Sequence, residues 1–289
     1  MKAYEAELAL DVRCELGEGP VWWDGAIWFV DIEGRALHRF EPSNRRHDRF
    51  DVPDRIGFAV PTARDGWIIG QGAALCSFRP GEGSPRPLVQ TDPVDAGTRL
   101  NDAKTDPAGR VFAGTMHLDV VPGAGSLYRF ERGPSGLDRV MDGVTISNGL
   151  AWHEPSGTMY YIDTPTGRID AFDWSRESGS IQNRREVARI EGGSPDGMCI
   201  DADGHLWVAV WGGSRVACID PSSGREVGAV ELPCENVTSC CFGGDGLDEL
   251  WITTARVGLS EAQRRRQSTA GGLFVARVSV RGLPTVPAN

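Results

Sequence analysis

The stretch SPDGMCIDADGHLWVAVW at residues 194–211 contains one complete unit of a pattern that recurs along the chain. Its two apolar runs, residues 198–200 and 206–210, are separated by the turn sequence Asp-Ala-Asp-Gly at residues 201–204. Short runs rich in β-branched and aromatic residues on either side of an Asp/Gly turn predict a β-hairpin. Asp196 stands just before the first run, so the unit is a polar residue followed by a hairpin.

Counterparts of the second apolar run start at six places along the chain. These starts are Ile27, Trp67, Val111, Met159, Leu206 and Leu250, and neighbouring starts lie 40 to 48 residues apart. Six units with a period of roughly 45 residues predict an all-β fold, a six-bladed β-propeller around a central channel. A β-sandwich is the alternative, but six nearly equal repeats are hard to reconcile with it. Residues 1–289 are expected to form this single domain.

The last repeat has less chain available than the first. Only 39 residues follow Leu250, which is less than one period of the repeat. In contrast, 26 residues precede Ile27, and the first repeat does not need all of them. We therefore expect residues 4–12 to supply a strand to the sixth blade, because closing the ring in this way removes exposed sheet edges. Residues 261–267 are compatible with a short helix, but they are expected to form a solvated loop.

Composition and charge exclude several classes of partner. The net charge of −10 argues against nucleic acid and against anionic membranes, since both select basic surfaces. Seven cysteines without a CxxC spacing do not suggest a disulfide framework. The first residues lack an apolar signal segment, and no apolar run approaches the ~20 residues of a membrane helix. These features predict a cytoplasmic protein; its oligomeric state is open, with a monomer as the expectation.

Four repeats carry an oxygen-bearing polar residue at nearly the same position. Glu18, Asn101, Asn148 and Asp196 lie 9, 10, 11 and 10 residues before the start of the second run. In a propeller, equivalent positions at the start of each innermost strand face the central channel, so we expect the four side chains to converge. Carboxylate and amide oxygens without histidine or thiolate suit a hard divalent cation such as Ca²⁺, Mg²⁺ or Mn²⁺. Taken singly, each residue could equally be a turn cap.

Two further residues could reach the same end of the channel. Arg99 lies two residues before Asn101 and is suited to bind an anion or a hydroxyl group. Asp119 follows the run VFAGTM by a few residues. At the register of the four polar residues, the second and sixth repeats have Gly57 and Cys240, so these blades are expected to add little charge.

Five motifs in this order resemble the SMP-30/gluconolactonase/regucalcin family. They are GEGPVWW at residues 17–23, RLNDAKTDPAGRVFAGTM at 99–116, ISNGLAW at 146–152, SPDGMCIDADGHLWVA at 194–209 and TSCCFGG at 238–244. The resemblance extends over about residues 14–274. It implies a six-bladed propeller with one divalent metal ion in a central metal-binding channel, and hydrolysis of sugar lactones.

The resemblance also implies roles for individual residues. Glu18, Asn148 and Asp196 match the metal ligands. Arg99 and Asn101 match substrate-contacting positions, with Asn101 near the metal as well. Asp119 stands where regucalcin-like members have a glutamate, which is one methylene longer, and we assign it to the substrate. The implied cofactor is one divalent ion, Ca²⁺, Mg²⁺, Mn²⁺ or Zn²⁺, and the implied partner is a small-molecule sugar lactone.

The predicted chemistry is attack of water on a metal-polarised lactone carbonyl. Asp196 could take a proton from the water and later help to protonate the leaving ring oxygen. Alternatively the metal activates the water and Asp196 only orients it; the sequence leaves both open. The mouth of the channel is the end at which the four polar residues are expected to converge. Three tryptophans could flank this mouth or belong to the core: Trp22, Trp152 and Trp211. Rival functions are a phosphotriesterase-like hydrolase and a calcium-binding regulatory propeller of regucalcin type.

Overall fold

The computed structural model describes residues 2–64, 66–93, 96–132 and 136–289. Six sheets are arranged in a ring, and the innermost strands of neighbouring blades lie against each other in ring order. The prediction of a six-bladed β-propeller is therefore confirmed. Each blade is a meander in which consecutive strands pair antiparallel, from the axis to the rim.

The strands are numbered in chain order. Before the blades come β1 (Lys2–Glu5) and β2 (Glu7–Leu10). Blade one comprises β3 (Gly17–Trp23), β4 (Ala26–Asp31), β5 (Ala36–Glu41) and β6 (Arg46–Asp51). Blade two comprises β7 (Ile56–Pro61), β8 (Trp67–Gln71), β9 (Ala74–Phe78) and β10 (Arg86–Gln90). Blade three comprises β11 (Thr98–Thr105), β12 (Val111–His117), β13 (Gly125–Phe130) and β14 (Leu137–Val144).

The second half of the ring repeats this plan. Blade four comprises β15 (Ser147–His153), β16 (Thr158–Asp163), β17 (Arg168–Trp174) and β18 (Ile181–Arg189), with short 3₁₀ helices at Glu154–Ser156 and Thr164–Thr166. Blade five comprises β19 (Ser194–Ile200), β20 (Leu206–Trp211), β21 (Arg215–Asp220) and β22 (Arg225–Glu231). Blade six comprises β23 (Val237–Gly243), β24 (Glu249–Thr254) and β25 (Leu273–Arg277), with helix α1 (Glu261–Arg266) before β25.

The hydrophobic core lies between adjacent blades. Trp28 of blade one packs on Trp67 of blade two with ring centroids 4.6 Å apart, and Phe112 of blade three packs on Trp152 of blade four at 5.2 Å. Both faces of a blade are covered by its neighbours, so a middle strand such as β20 has no solvated side. This explains why the second runs read as continuous apolar segments rather than alternating ones.

The ring closes through the N-terminal segment. β2 pairs antiparallel with β25 and forms the outer edge of blade six. β1 does not continue this strand; it pairs parallel with β22 at the outer edge of blade five. The segment therefore bridges two blades, whereas the sequence suggested one strand from residues 4–12.

Removal of residues 1–12 is expected to prevent the protein from folding in soluble form, because β25 would lose its partner and expose an unpaired edge. Removal of residues 1–6 is the matched control, since it deletes only β1 and leaves β2 on blade six. We expect this shorter deletion to lower the thermal midpoint by only a few degrees, about what ~1–2 kcal/mol gives in a domain of this size. A soluble 1–12 deletion with an unchanged melting temperature would show that β2 does not hold the ring closed.

The expectation of a solvated loop at residues 261–267 is wrong. Ser260 caps α1: its hydroxyl accepts from the backbone N–H of Gln263, and the Gln263 side chain accepts from the backbone N–H of Ser260. Arg264 pairs with Glu15 at 3.0 Å, which ties the helix to the segment before blade one. The Ser-x-x-Gln signal of a capping box was present in the sequence. No helix in the described ranges is long and apolar enough to cross a membrane.

The chain after β25 crosses the end of the channel at which the first and second strands of each blade are joined, here called the far end. The Thr285 hydroxyl donates to the Trp22 carbonyl at 3.0 Å, and the Asn289 backbone N–H donates to the Gly109 carbonyl at 3.1 Å. Ala288 donates to the Pro61 carbonyl at 2.8 Å. This segment therefore links blades one, two and three across the far end of the channel.

Candidate functional site

Glu18, Asn101, Asn148 and Asp196 occupy one position in the pairing pattern of their blades. Asp196 lies four residues before Ile200, which pairs with the first residue of β20. The other three residues likewise lie four places before the partner of the residue that starts the second apolar run of their repeat, which is Ile27, Val111 or Met159. The sequence intervals of 9 to 11 residues vary because the hairpin turns differ in length, whereas the pairing interval is constant.

A β-bulge interrupts every innermost strand at this position. In β11 the register shifts between Leu100 and Ala103, and in β19 it shifts between Pro195 and Met198. A bulge bends the strand and re-aims the side chains beside it. The four polar residues therefore interrupt the regular strand pairing at the same level along the channel. Hydrophobic periodicity does not report such a bulge, so the sequence could not predict it.

The same register places Thr238, and not Cys240, in blade six. Phe242 pairs with Leu250, which starts the second apolar run of the sixth repeat, and Thr238 lies four residues before Phe242. The Cys240 assignment is thus wrong by two residues, because the turn of this hairpin is longer. Thr238 is buried, and its hydroxyl donates to the Gly17 carbonyl at 2.6 Å.

Glycines lie at the same level as Glu18, Asn101, Asn148 and Asp196, which are here called the ring residues, and let neighbouring innermost strands approach closely. A Cβ on Gly57, the blade-two equivalent, would lie 2.7 Å from the Asn101 carbonyl oxygen. A Cβ on Gly149 would lie 2.7 Å from the Asp196 carbonyl oxygen. Blade two therefore cannot place a side chain in the ring; the four acid and amide side chains come from blades one, three, four and five, and blade six has Thr238 at the same position.

Hydrogen bonds connect Arg99, Asn101 and Asn148. Arg99 Nη1 donates to Asn101 Oδ1 at 2.7 Å and to the Leu100 carbonyl at 3.0 Å. Asn101 Nδ2 donates to the Ser147 carbonyl at 2.8 Å and to Asn148 Oδ1 at 3.3 Å. Arg99 Nε and Nη2 have no protein partner within the described ranges. Three of the residues expected at the mouth therefore do lie together, with part of the guanidinium still available for a ligand.

Glu18 and Asp196 are buried carboxylates, each 6% exposed, and neither forms an ion pair with another described residue. Burial, followed by the negative charge of Asp102, raises the pKa of Glu18 to about 8. Burial, followed by the negative charges of Glu18 and Asp102, raises the pKa of Asp196 well above its usual range. The two carboxylates thus repel each other, and the positive charges of Arg99 and Lys104 offset this only in part.

This donor set fits a divalent cation. Two buried carboxylates without a cation are costly, and a dication beside them offsets their charge. Asn148 Nδ2 donates to the Thr164 hydroxyl at 2.9 Å, which orients the amide and leaves Oδ1 toward the ring. An all-oxygen set of this kind is the one that Ca²⁺, Mg²⁺ and Mn²⁺ prefer. The residues that would hold the ion are Glu18, Asn148 and Asp196.

Asp102 and Lys104 are polar residues of the channel that the sequence did not single out. They line a cavity of about 310 Å³ on the far-end side of the ring, which is also lined by Trp152 and residues 283–286. Asn101 and Asp102 are consecutive residues at the β11 bulge, yet Asn101 belongs to the mouth and Asp102 lines the cavity. The only sign of Asp102 in the sequence was its place as a polar residue directly after Asn101.

The tryptophans do not frame the mouth as a group. Trp152 is buried and lines the far-end cavity, and the Trp22 carbonyl bonds the segment that crosses the far end. Of the three, Trp211 alone pairs near the mouth, opposite Ser194, which lies two residues before Asp196. Only Trp211 is therefore placed to contact a ligand at the ring.

Residues 16–256 match the family described as SMP-30/Gluconolactonase/LRE-like region. The chain belongs to this family. Regucalcin of Oryctolagus cuniculus is 37% identical over 294 residues, covering 98% of each chain. The Bacillus subtilis protein named "Putative sugar lactone lactonase YvrE" is 37% identical over 287 residues, also covering 98% of each. The structure of a luciferin-regenerating enzyme superposes with a TM-score of 0.92 at 29% identity, covering 99% of both chains.

Within this family member, Asp119 is the one assigned residue that the structure leaves apart from the others. It lies in the turn after β12 and is exposed, and its backbone N–H donates to His117 Nδ1 at 3.0 Å. Its carboxylate forms no hydrogen bond or ion pair with another described residue. A substrate contact by Asp119 stays a prediction.

Proposed function

We propose that this protein hydrolyses an aldonolactone to the aldonic acid in a metal-dependent reaction. The observation that carries the proposal is the ring formed by Glu18, Asn148 and Asp196 beside the hydrogen-bonded pair of Arg99 and Asn101. Membership of the SMP-30/gluconolactonase family supports lactone chemistry. Relatives named regucalcin and sugar lactone lactonase are equally similar, so the site chemistry has to decide between them.

The reaction joins a water oxygen to the lactone carbonyl carbon and breaks the bond from that carbon to the ring oxygen. Glu18, Asn148 and Asp196 would hold a divalent ion, which would supply Lewis acidity to the carbonyl oxygen. Asp196 takes a proton from the attacking water and delivers it to the ring oxygen as that oxygen leaves. The buried ring excludes bulk water, which strengthens these electrostatic interactions.

Arg99 and Asn101 orient the substrate. Asn101 is fixed by its bonds to the Ser147 carbonyl and to Asn148, so it presents one geometry to a ligand. Among the described residues, Arg99 donates to protein acceptors through Nη1 alone, so its Nε and Nη2 donors are left for a ligand. Sugar hydroxyl groups are acceptors and donors at fixed spacing, so they suit this pair.

Chelation of the purified protein is expected to lower lactone hydrolysis by roughly tenfold or more, because the carbonyl would lose its Lewis acid. The assay follows acid release from glucono-, galactono-, arabinono- and xylono-lactone, before and after chelation, with Ca²⁺, Mg²⁺, Mn²⁺ or Zn²⁺ restored singly. At least one of these ions should restore the rate.

Unchanged rates in protein shown by elemental analysis to be metal-free would contradict the metal role. Calcium binding at the ring without turnover of any lactone would instead favour a calcium-binding regulatory propeller. Faster turnover of an organophosphate triester than of every lactone would favour the phosphotriesterase-like alternative.

A further inference from the structure

Three buried side chains outside the channel converge at the seam between blades six and one. A sulfur of Cys14, a carboxylate oxygen of Asp31 and a ring nitrogen of His38 all lie within 4.8 Å of one another. Their residues are 1%, 4% and 1% exposed. Cys14 belongs to the segment after the closing strand β2, whereas Asp31 ends β4 and His38 lies in β5.

His38 has one paired and one unpaired ring nitrogen. Its Nδ1 lies 2.9 Å from Nε2 of His47, and its ring stacks on Phe29 and on His47, with centroids 5.0 and 5.1 Å away. Its Nε2 is buried and has no hydrogen-bond partner. An unpaired buried polar atom is unfavourable unless something else satisfies it. A histidine fixed through one nitrogen with the other one free is the usual arrangement of a metal ligand.

Asp31 is oriented by hydrogen bonds from the backbone. Its oxygens accept from the N–H groups of Glu15 at 3.1 Å, Leu16 at 3.0 Å and Gly34 at 2.9 Å. An ionised carboxylate has about four lone-pair sites, so one site is left on Oδ2. Carboxylates that bind metals are commonly oriented by such hydrogen bonds.

We propose that Cys14, Asp31 and His38 bind a zinc-type divalent cation. A thiolate, a carboxylate and a neutral imidazole balance the two charges of the ion, so the buried site is neutral when filled. The mixed sulfur, nitrogen and oxygen set selects Zn²⁺ or Co²⁺ over Ca²⁺ and Mg²⁺, unlike the all-oxygen ring in the channel. Three protein ligands leave the fourth tetrahedral position to water.

Without the ion, the Cys14 thiol donates to Asp31, and burial raises the pKa of that thiol well above its usual value. Binding therefore releases the thiol proton and replaces this hydrogen bond with coordination. Because Cys14 lies directly after β2, the bound ion fastens the ring-closing segment to two strands of blade one. The site is structural and stabilises the seam.

Cobalt distinguishes this site from the channel, because only a thiolate ligand gives a sulfur-to-cobalt charge-transfer band in the near ultraviolet. We expect this band when Co²⁺ is added to the metal-free wild-type protein. It should disappear in Cys14→Ser, and the Co²⁺ affinity should fall by roughly tenfold or more in His38→Gln. Cys240→Ser and His153→Gln are the matched controls, each changing the same residue type outside the cluster, and both should keep the band.

Zinc stoichiometry and thermal stability provide independent readouts. The wild-type protein should bind one equivalent of Zn²⁺ more than Cys14→Ser or His38→Gln, whether or not the channel ring also binds an ion. Zn²⁺ at about 100-fold above its Kd should raise the thermal midpoint of Asp196→Asn by roughly 5 °C, but not that of Asp196→Asn combined with Cys14→Ser or with His38→Gln.

The proposal is overturned if the wild-type protein shows no thiolate band with Co²⁺, or if Cys14→Ser and His38→Gln bind as much Zn²⁺ as wild type. If Cys14→Ser fails to fold, His38→Gln decides, because wild-type Co²⁺ affinity in that variant contradicts the site. A band lost only in Cys240→Ser would assign the cation to the pair Cys199 and Cys240, whose sulfurs lie 3.6 Å apart, and would equally overturn the proposal.

Discussion

Asp196→Asn is expected to lower kcat/KM for the best sugar lactone by about 10³-fold or more while leaving the fold intact. The substitution removes one anionic ligand and the only group that we assign to proton transfer. Asparagine keeps the size of the side chain, and Gly197 keeps its close approach to blade six. The loss should therefore appear in activity and not in the far-ultraviolet circular dichroism spectrum.

The matched control is Asp203→Asn, which makes the same chemical change at an exposed turn position of the β19–β20 hairpin. It should retain the wild-type rate. Retention of half the activity by a folded Asp196→Asn protein would remove Asp196 from the mechanism.

Stability provides a second readout on the same variant. The folded-state pKa of Asp196 is raised, and that of Glu18 is raised to about 8, so the folded metal-free protein binds more protons than the unfolded chain above the ordinary carboxylate range. The free energy of unfolding of the metal-free wild type should therefore fall as the pH rises from about 4 toward 8. Asp196→Asn should show a shallower fall, since one of the two buried acids is gone.

Sugar lactones of five or six carbons are expected to exceed unsubstituted valerolactone by roughly two to four decades in kcat/KM. An aliphatic ring would leave the Nε and Nη2 donors of Arg99 buried and unpaired, at about 1–3 kcal/mol for each group. Two such losses give this range, because 1.4 kcal/mol is about tenfold. Asp119 was expected to contribute to this discrimination, but its exposed carboxylate loses little when unpaired.

Arg99→Met tests the origin of this preference. It should slow the sugar lactones far more than valerolactone and so compress the ratio by at least about tenfold. Arg46→Met, on the outer strand of blade one where 65% of the side chain is exposed, is the control and should leave the ratio unchanged. Wild-type hydrolysis of valerolactone within tenfold of the best sugar lactone would contradict the hydroxyl-binding role of Arg99 and Asn101.

The architecture was predictable because its signal is long-range and repeated. Six apolar runs at nearly equal spacing leave few folds open, and the shortage of chain after Leu250 pointed to closure by the N-terminal segment. The pairing of β1 with blade five was not predictable, since KAYE contains no feature that selects one outer edge over another. The helix at Glu261 was missed because propensity was weighed without the capping pair Ser260 and Gln263.

The site was predictable to the level of its four ring residues and no further. Counting along the chain found Glu18, Asn101, Asn148 and Asp196, because their hairpins differ by only one or two residues. The same counting failed in blade six, where it selected Cys240 instead of Thr238. Asp102 was overlooked for a related reason. The bulge in β11 separates the side chains of Asn101 and Asp102, and the sequence gives no sign of this bulge.

The constant four-residue pairing interval has a consequence for how such sites diverge between related sequences. Turns at the far end can gain or lose a residue without moving a ring side chain, because the bulge and the strand pairs fix its place. An insertion between the ring residue and the first hairpin pair would instead rotate that side chain out of the channel. We therefore expect changes in length at the hairpin tips to preserve the site and changes within the four residues after Asp196 to disrupt it, so a search by fixed spacing would overlook relatives that share the site.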